Sequence, residues 1–286
     1  MAEAIKMEAP QNSLVEKIEV NLAEYSFFLG QIKQGQIYDG REVKWVSTGG
    51  PIFNRILNAH FEPEELNQRI TETVARFKAA NTPVTWLIGP ATQPLTLGSQ
   101  LEKHGFTYRG YWHGMALDLN HLSERPQVAA GLTVERVKDY QALKDWIDLA
   151  CSGFQFSAKV TQAYQETLGN LRLNANTPWK PYIALIKGQP VATCVMYTGS
   201  QAAGLYWTAT LPAAREHGVG TGLTWELLRE AREMGYSTAV LHSTQMGLPL
   251  YERLGFQDYC KIKIYTWDNR SKLLQTLVKI KAKLHL

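Results

Sequence analysis

Cysteine is scarce in this chain: three residues in 286, Cys151, Cys194 and Cys260, with no CxxC and no neighbouring histidine pair. A disulfide framework and a zinc cage are thereby excluded, and a reducing, cytoplasmic setting is expected. No apolar run approaches the ~20 residues that span a bilayer. The N-terminal MAEAIKMEAP has neither the basic start nor the apolar core of a signal peptide. Charge of one sign is also lacking: 30 Lys and Arg against 26 Asp and Glu leave +4, and the basic residues are scattered, so no nucleic-acid groove is expected. What the chain does have is 45% hydrophobic and 20% charged residues, the balance of a protein that buries ordinary cores. At about 100 to 200 residues per domain, its length predicts two domains.

The first periodic segment carries a capping-box pattern, Ser13 with Glu16 three residues on, followed by Leu14, Ile18, Leu22, Tyr25, Leu29 and Ile32 on one face; it predicts a long amphipathic helix opening at Ser13. Val43–Val46 and Ile52–Leu57 flank the breakers Ser47 to Pro51 and predict a hairpin. Glu62-Pro63 predicts a helix start, with Leu66, Ile70, Val74 and Phe77 facing the core, followed by a buried strand at Val84–Ile88. A short helix to His104 ends at Gly105, and Tyr108–Leu119 alternates as a strand. The aperiodic stretch Asn120 to Gly131 reads as a linker, placing the domains at 1–125 and 126–286. The second half predicts a strand at Leu132–Val137, helices within Asp139–Phe154 and Ala158–Leu173, a hairpin of Tyr182–Ile186 with Val191–Tyr197, and a strand at Gly204–Leu211. A helix from Gly218 to Met234, a strand at Thr238–His242, a short helix and a last strand near Lys261–Trp267 complete it. The class is α/β with a mixed sheet. Beyond Asp268, Leu273, Leu277, Ile280 and Leu284 share a face with several lysines elsewhere, predicting a basic amphipathic helix that packs on the domain or on a second copy of the chain in a homodimer, with docking on a membrane surface as the alternative.

Leu101-Glu-Lys-His-Gly-Phe106 and Tyr251-Glu-Arg-Leu-Gly-Phe256 share the form x-E-[KR]-x-G-F. In each half they follow the same order of strand, long helix, short strand and short helix, which predicts a duplicated fold.

Chemistry concentrates between a strand and a helix, in Leu211-Pro-Ala-Ala-Arg215-Glu216-His217-Gly218-Val219-Gly220-Thr221-Gly222. Backbone N–H groups at a helix N-terminus carry partial positive charge, and glycine admits a phosphate to that backbone. No Gly-Lys-[Ser/Thr] follows, so this is not a Walker loop, and Gly-x-Gly-x-x-Gly is absent.

R-x-x-G-x-G at Arg215–Gly220, followed by L-Y-E-R-L-G-F at Leu250–Phe256, resembles the GNAT acyltransferase superfamily over about Leu132 to Trp267; the first half resembles it more faintly. The resemblance implies two tandem GNAT-like domains and acetyl-CoA as cosubstrate. Its pyrophosphate would be held by Arg215, Glu216, His217, Gly218, Val219, Gly220, Thr221 and Gly222, and its pantetheine arm by the main chain of Ala209, Thr210 and Leu211. It implies Tyr251 as the acid that protonates the departing sulfur, and an amine acceptor, small molecule or peptide, attacking directly. In the first half Leu101 stands at the tyrosine's place and Ala59 to Glu64 is acidic and has no glycine, so no CoA is expected there. GNAT enzymes often place a Glu on the strand before the cofactor loop; here Gly204 to Thr210 has no carboxylate, and a water chain, an already neutral amine or His242 remain open as the route for the proton. Thr244-Gln-Met-Gly247 stands where many relatives carry an assisting Asn. Phe154, Phe156, Trp179, Tyr182, Tyr206 and Trp207 are candidates for the acceptor pocket, with core packing expected for at least half of them. A CoA-binding module without turnover and a longer acyl donor are the alternatives.

Overall fold

The computed structural model describes residues 4–269 apart from 170, 172 and 175, with side chains from residue 13 onward. The basic C-terminal helix expected after Asp268 lies outside the described residues. In chain order the elements are α1 (Ala4–Gly30), β1 (Gln36–Asp39), β2 (Lys44–Ser47), β3 (Arg55–Leu57), α2 (Leu66–Ala79), β4 (Val84–Ile88), α3 (Leu97–Lys103), β5 (Thr107–Asp118), β6 (Leu132–Arg136), α4 (Tyr140–Gly153), α5 (Ala158–Leu168), β7 (Trp179–Ile186), β8 (Gln189–Thr198), β9 (Ala203–Thr210), α6 (Val219–Glu233), β10 (Thr238–Ser243), α7 (Leu248–Arg253) and β11 (Gln257–Trp267).

Two compact units result, and neither is one continuous stretch of chain. Among the described residues, the larger holds those up to Tyr25, Met115–His242 and Gly247–Tyr259; the smaller holds Ser26–Gly114, Ser243–Met246 and those from Cys260 on. In the larger unit the strand order is β10-β9-β8-β7-β6, with β9 and β10 parallel and the other neighbours antiparallel. In the smaller it is β1-β2-β3-β4-β11, with β3 and β4 parallel and the rest antiparallel. Each sheet is therefore mixed, and each carries an antiparallel pair leading into a right-length βαβ crossover: β3-α2-β4 in one, β9-α6-β10 in the other. The strand that follows α7 in sequence completes the smaller unit, Lys263 to Trp267 of β11 lying antiparallel to Ile88 to Val84.

The repeated hexapeptide has a structural cause. After α3, the N–H of Gly105 donates to Glu102 O at 3.0 Å and that of Phe106 to Leu101 O at 3.0 Å; after α7, Gly255 donates to Glu252 O at 3.0 Å and Phe256 to Tyr251 O at 3.1 Å. Both are Schellman caps, which place the glycine in the left-handed region, here at φ 89° and 95°. The phenylalanines then drop into their cores at 4% and 2% exposure. The motif thus fixes how the first residue of each copy is presented.

Three elements differ from expectation. The helix expected to open at Ser13 begins at Ala4, because Ala, Glu, Lys and Met upstream are strong helix formers and carry it back past the capping box. The Glu62-Pro63 start is displaced to Leu66, where the apolar face begins and Leu66, Ile70, Val74 and Phe77 are buried. Before the expected hairpin, Gln36–Asp39 forms an additional strand, exposed at all four positions and so without an alternating pattern to reveal it.

Candidate active site

Strand β9 organises the site. It pairs with β10 only over Ala203–Leu205, against Ala239–Leu241. From Tyr206 onward its pairing is with β8, at Tyr206–Val195, Ala209–Thr193 and Thr210–Ala192. Between the first two of those pairs β9 advances three residues while β8 advances two, so Trp207 and Thr208 together face Cys194: a β-bulge. Trp207 sits at φ 56°, a conformation costly for a bulky side chain and concentrated at functional sites.

The bulge distributes side chains between two faces. Ala203 and Leu205 point into the core formed with α6, and regular alternation would send Trp207 there next. Instead Thr208 takes that face, its Oγ1 3.2 Å from the Cys194 Sγ, while Trp207 joins Tyr206 on the other. There Tyr206 stacks on Tyr25 at 3.8 Å and 6°, and its hydroxyl donates to Asn21 Oδ1 at 2.8 Å. The Trp207 indole N–H donates to the Tyr25 hydroxyl at 2.9 Å. Asn21 is itself anchored, its Nδ2 donating to Ala202 O at 2.8 Å. The N-terminal helix therefore locks two consecutive residues of β9. Sequence reasoning missed Thr208, Tyr25 and Asn21, because a bulge leaves no periodic mark and α1 lies about 180 residues upstream of its contacts.

Tyr251, in the last turn of α7, is partly buried against the α6-side core, its ring 5.8 Å from Phe256. Burial pushes its phenol well above its ordinary value, partly offset by a hydrogen bond with Thr208. Cys194 behind it is pushed up to about 12 by burial. Tyr251, Thr208 and Cys194 thus form a neutral polar cluster in an apolar surround, and Tyr251 keeps its proton at neutral pH. In the smaller unit Leu101 occupies the same cap position, fully buried.

The expected phosphate loop lies between β9 and α6. A short 3-10 turn at Pro212–Ala214 leads to Glu216 and Gly218, both in the left-handed region at φ 67° and 73°. Gly218 is the N-cap of α6 and supplies no side-chain cap. The helix's own ladder opens with Gly222 N–H to Gly218 O at 2.9 Å, so the N–H groups of Val219, Gly220 and Thr221 precede the intrahelical ladder, an arrangement whose chemistry suits an anion. Glu216 and His217 are exposed, and Val219 is buried in the core. Arg215 turns inward: its Nε donates to Thr210 O at 3.1 Å and an Nη to Gly153 O at 2.9 Å, tying the loop to the ends of β9 and α4. Its side chain holds the loop in shape. Gly222 is a packing residue, since a Cβ there would stand 2.4 Å from Leu132 Cδ2. A Cβ at Gly220 would stand 3.0 Å from Leu250 Cδ1 and 3.4 Å from Thr210 Oγ1, filling the space between the helix end and the strand. A narrow pyrophosphate-bearing arm fits these residues: bare N–H groups at one end and an extended main-chain edge at Tyr206 to Thr210 leading away from it.

The six acceptor-pocket aromatics sort cleanly. Trp179 and Tyr182 are core, at 0% and 3% exposure. Phe154, Phe156, Tyr206 and Trp207 are partly exposed, and Tyr164 of α5 joins them. His242, next to last in β10, has its ring 6.0 Å from that of Tyr206. Among the described residues no group of three or more His, Cys, Asp or Glu side chains could hold a metal, and no helix is long and apolar enough to cross a membrane.

In the smaller unit, the loop from β3 to α2 ends at Glu65, the residue before the helix, which pairs with Arg69 at 3.1 Å; Arg69 also meets Glu42 and Glu72. This helix end carries its own carboxylates where the larger unit has bare N–H groups.

Residues 142–256 match the model of the acetyltransferase (GNAT) family. No curated protein matches the chain. Among solved structures, a GCN5-related N-acetyltransferase from Kribbella flavida is similar at 17% identity over 90% of this chain and 98% of its own, with a TM-score of 0.68. One from Sphaerobacter thermophilus gives 15% identity over 83% of this chain and 76% of its own, with a TM-score of 0.58. A tandem GNAT protein from the clavulanic acid biosynthesis pathway gives 14% over 91% of this chain and 95% of its own, with a TM-score of 0.52. At these identities the likeness is one of fold.

Proposed function

We propose that this chain, whose residues 142–256 match the model of the acetyltransferase (GNAT) family, transfers an acetyl group from acetyl-CoA directly to an amine, using one site, in the part of the chain from residue 126 on. The part before residue 126 is proposed as a degenerate copy that binds no CoA. The observation that carries the reading is the joint placement of a bare helix N-terminus at Gly218–Thr221, an extended edge at Tyr206–Thr210 and a neutral buried phenol at Tyr251.

Acetyl-CoA, when bound, supplies an activated thioester. The chain's residues do the rest. Val219, Gly220 and Thr221 hold phosphate oxygens through main-chain N–H groups, and the main chain of Ala209, Thr210 and Leu211 aligns the arm. N–H groups of the bulged β9 edge stabilise charge on the carbonyl oxygen as the amine attacks. The new N–C bond forms while the C–S bond breaks with its electron pair on sulfur; the Tyr251 Oη donates its proton to that sulfur and is reprotonated from solvent, and the amine's proton leaves to solvent. Tyr251 works from the α6 face of β9 and the aromatic residues from the other, so acceptor and leaving group approach from opposite sides. A cytoplasmic location suits a protein whose Cys151 and Cys194 are buried free thiols.

The test is release of CoA thiol dependent on an added amine, with the acetylated amine identified by mass spectrometry. CoA bound without amine-dependent release would overturn the reading in favour of a binding module. Calorimetry should find one CoA per chain, because the smaller unit has Leu101 and Glu65 where the site needs Tyr251 and bare N–H groups; two sites of comparable affinity would refute the single-site assignment. At one hundred times its dissociation constant, CoA should stabilise the fold by about 2.7 kcal/mol.

The pH profile follows from the direction of the Tyr251 shift. A phenol raised above its ordinary value of about 10 loses its proton only at still higher pH, so it contributes no alkaline fall in kcat below about pH 10. The limb that rises with pH belongs to the acceptor amine and should be unmoved in Tyr251→Phe. An alkaline fall below about pH 9 that disappears in that variant would contradict the assignment.

A further inference from the structure

Four rings beside the bulge form one interlocked surface. Phe154 stacks on Phe156 at 5.4 Å and 18°, Phe156 on Tyr164 at 5.4 Å and 10°, and both ends close edge-on against Trp207, Phe154 at 5.5 Å and 81° and Tyr164 at 4.9 Å and 87°. Behind them Trp146 and Trp179 are fully buried, whereas all four front rings remain partly exposed. The surface comes from the C-terminus of α4, from α5 and from the strained residue of β9, and Trp207 is the immediate neighbour of Thr208, which contacts Tyr251. Rings held this rigidly yet left in contact with water retain apolar area that a flat apolar ligand would cover. The neighbouring polar tips are engaged within the protein, the Trp207 N–H on Tyr25 and the Tyr206 hydroxyl on Asn21, so the wall presents apolar ring surface more than hydrogen-bonding groups.

A second observation agrees. β9 carries no carboxylate to accept a proton or to hold a cation. An aliphatic ammonium could lie on the rings by cation–π attraction, but that attraction favours the protonated form, which cannot attack. An aromatic group gives the wall something to bind that is separate from the reacting nitrogen.

We infer that the acceptor is an amine that carries an aromatic ring, the ring lying on the Phe154–Phe156–Tyr164–Trp207 wall and the nitrogen reaching the β9 edge. This rests on the acetyl-transfer reading above. The experiment compares acceptors of similar basicity with the full chain and acetyl-CoA: phenylethylamine against hexylamine, benzylamine against cyclohexylmethylamine, and glucosamine as a polar acceptor. kcat/KM should be roughly tenfold or more higher for the aromatic member of each pair, in the range that apolar pocket contacts supply. Phe156→Leu and Tyr164→Leu should lower kcat/KM for phenylethylamine and bring each ratio towards one, leaving the acetyl-CoA dissociation constant within about twofold. If either variant fails to fold, the wild-type ratios decide. Equal rates within pairs, or preference for glucosamine, would overturn the inference while leaving acetyl transfer standing; absence of CoA release with every amine would overturn both.

Discussion

Tyr251→Phe is expected to lower kcat by roughly 10² to 10⁴, the usual span for a general acid, with acetyl-CoA affinity and melting temperature almost unchanged. The ring stays in place because its contacts are apolar: it packs on the α6-side core and edge-on to Phe256, and the Schellman cap that positions it uses only the Tyr251 carbonyl. What is lost is the hydroxyl and its bond to Thr208. Thr208→Val should then act through Tyr251, lowering kcat more modestly without altering KM for acetyl-CoA, because it frees the phenol to turn away from the sulfur. A Tyr251→Phe enzyme retaining full turnover would assign protonation of the sulfur to solvent, and a large drop in melting temperature would make Tyr251 a packing residue.

Thr221→Glu separates helix stability from cofactor binding, since its two effects have opposite signs. A carboxylate in the first turn of α6 complements the helix dipole and should leave the fold as stable or stabilise it by about 0.3–1 kcal/mol. The same charge beside a bound pyrophosphate is repulsive: at ~4 Å and an effective dielectric of ~20 two unit charges interact by about 4 kcal/mol, and half of that weakens binding about 30-fold. Calorimetry should therefore show CoA affinity lowered about 30-fold at unchanged or raised melting temperature. Gly218→Glu should also abolish binding, though at φ 73° it strains the backbone as well. Full CoA affinity in Thr221→Glu would remove this loop as the site.

The elements that sequence predicted well are those with strong local causes. Val84–Ile88 is a compact apolar run, α6 buries Val219, Leu223, Leu227 and Ala231 at helical spacing, and Lys187-Gly188, both at positive φ, turn the β7–β8 hairpin. The hexapeptide repeat was legible for the same reason: glycine and phenylalanine are what a Schellman cap with a buried anchor requires. What stayed hidden is non-local. The register slip that hands Thr208 rather than Trp207 to the Tyr251 face depends on how β9 meets β8, and the pairing of β11 with β4 joins residues about 180 positions apart. The clasp of Asn21 and Tyr25 on β9 is of the same kind. The motif concerned the Arg215 main chain and said nothing of its side chain, whose guanidinium donates to two main-chain carbonyls. The acidic start of α2 was plain in Glu62, Glu64 and Glu65, but not that Arg69 gathers one of them with Glu42 and Glu72.

Hydrogen exchange on the full chain, with and without acetyl-CoA, tests the central claim most directly, because it reads the amides assigned to the site. Protection should appear at Tyr206–Leu211 and at Val219–Thr221 and nowhere between Asn58 and Leu66. Protection at that acidic loop instead, or none at the N-terminus of α6 under saturating acetyl-CoA, would contradict the account.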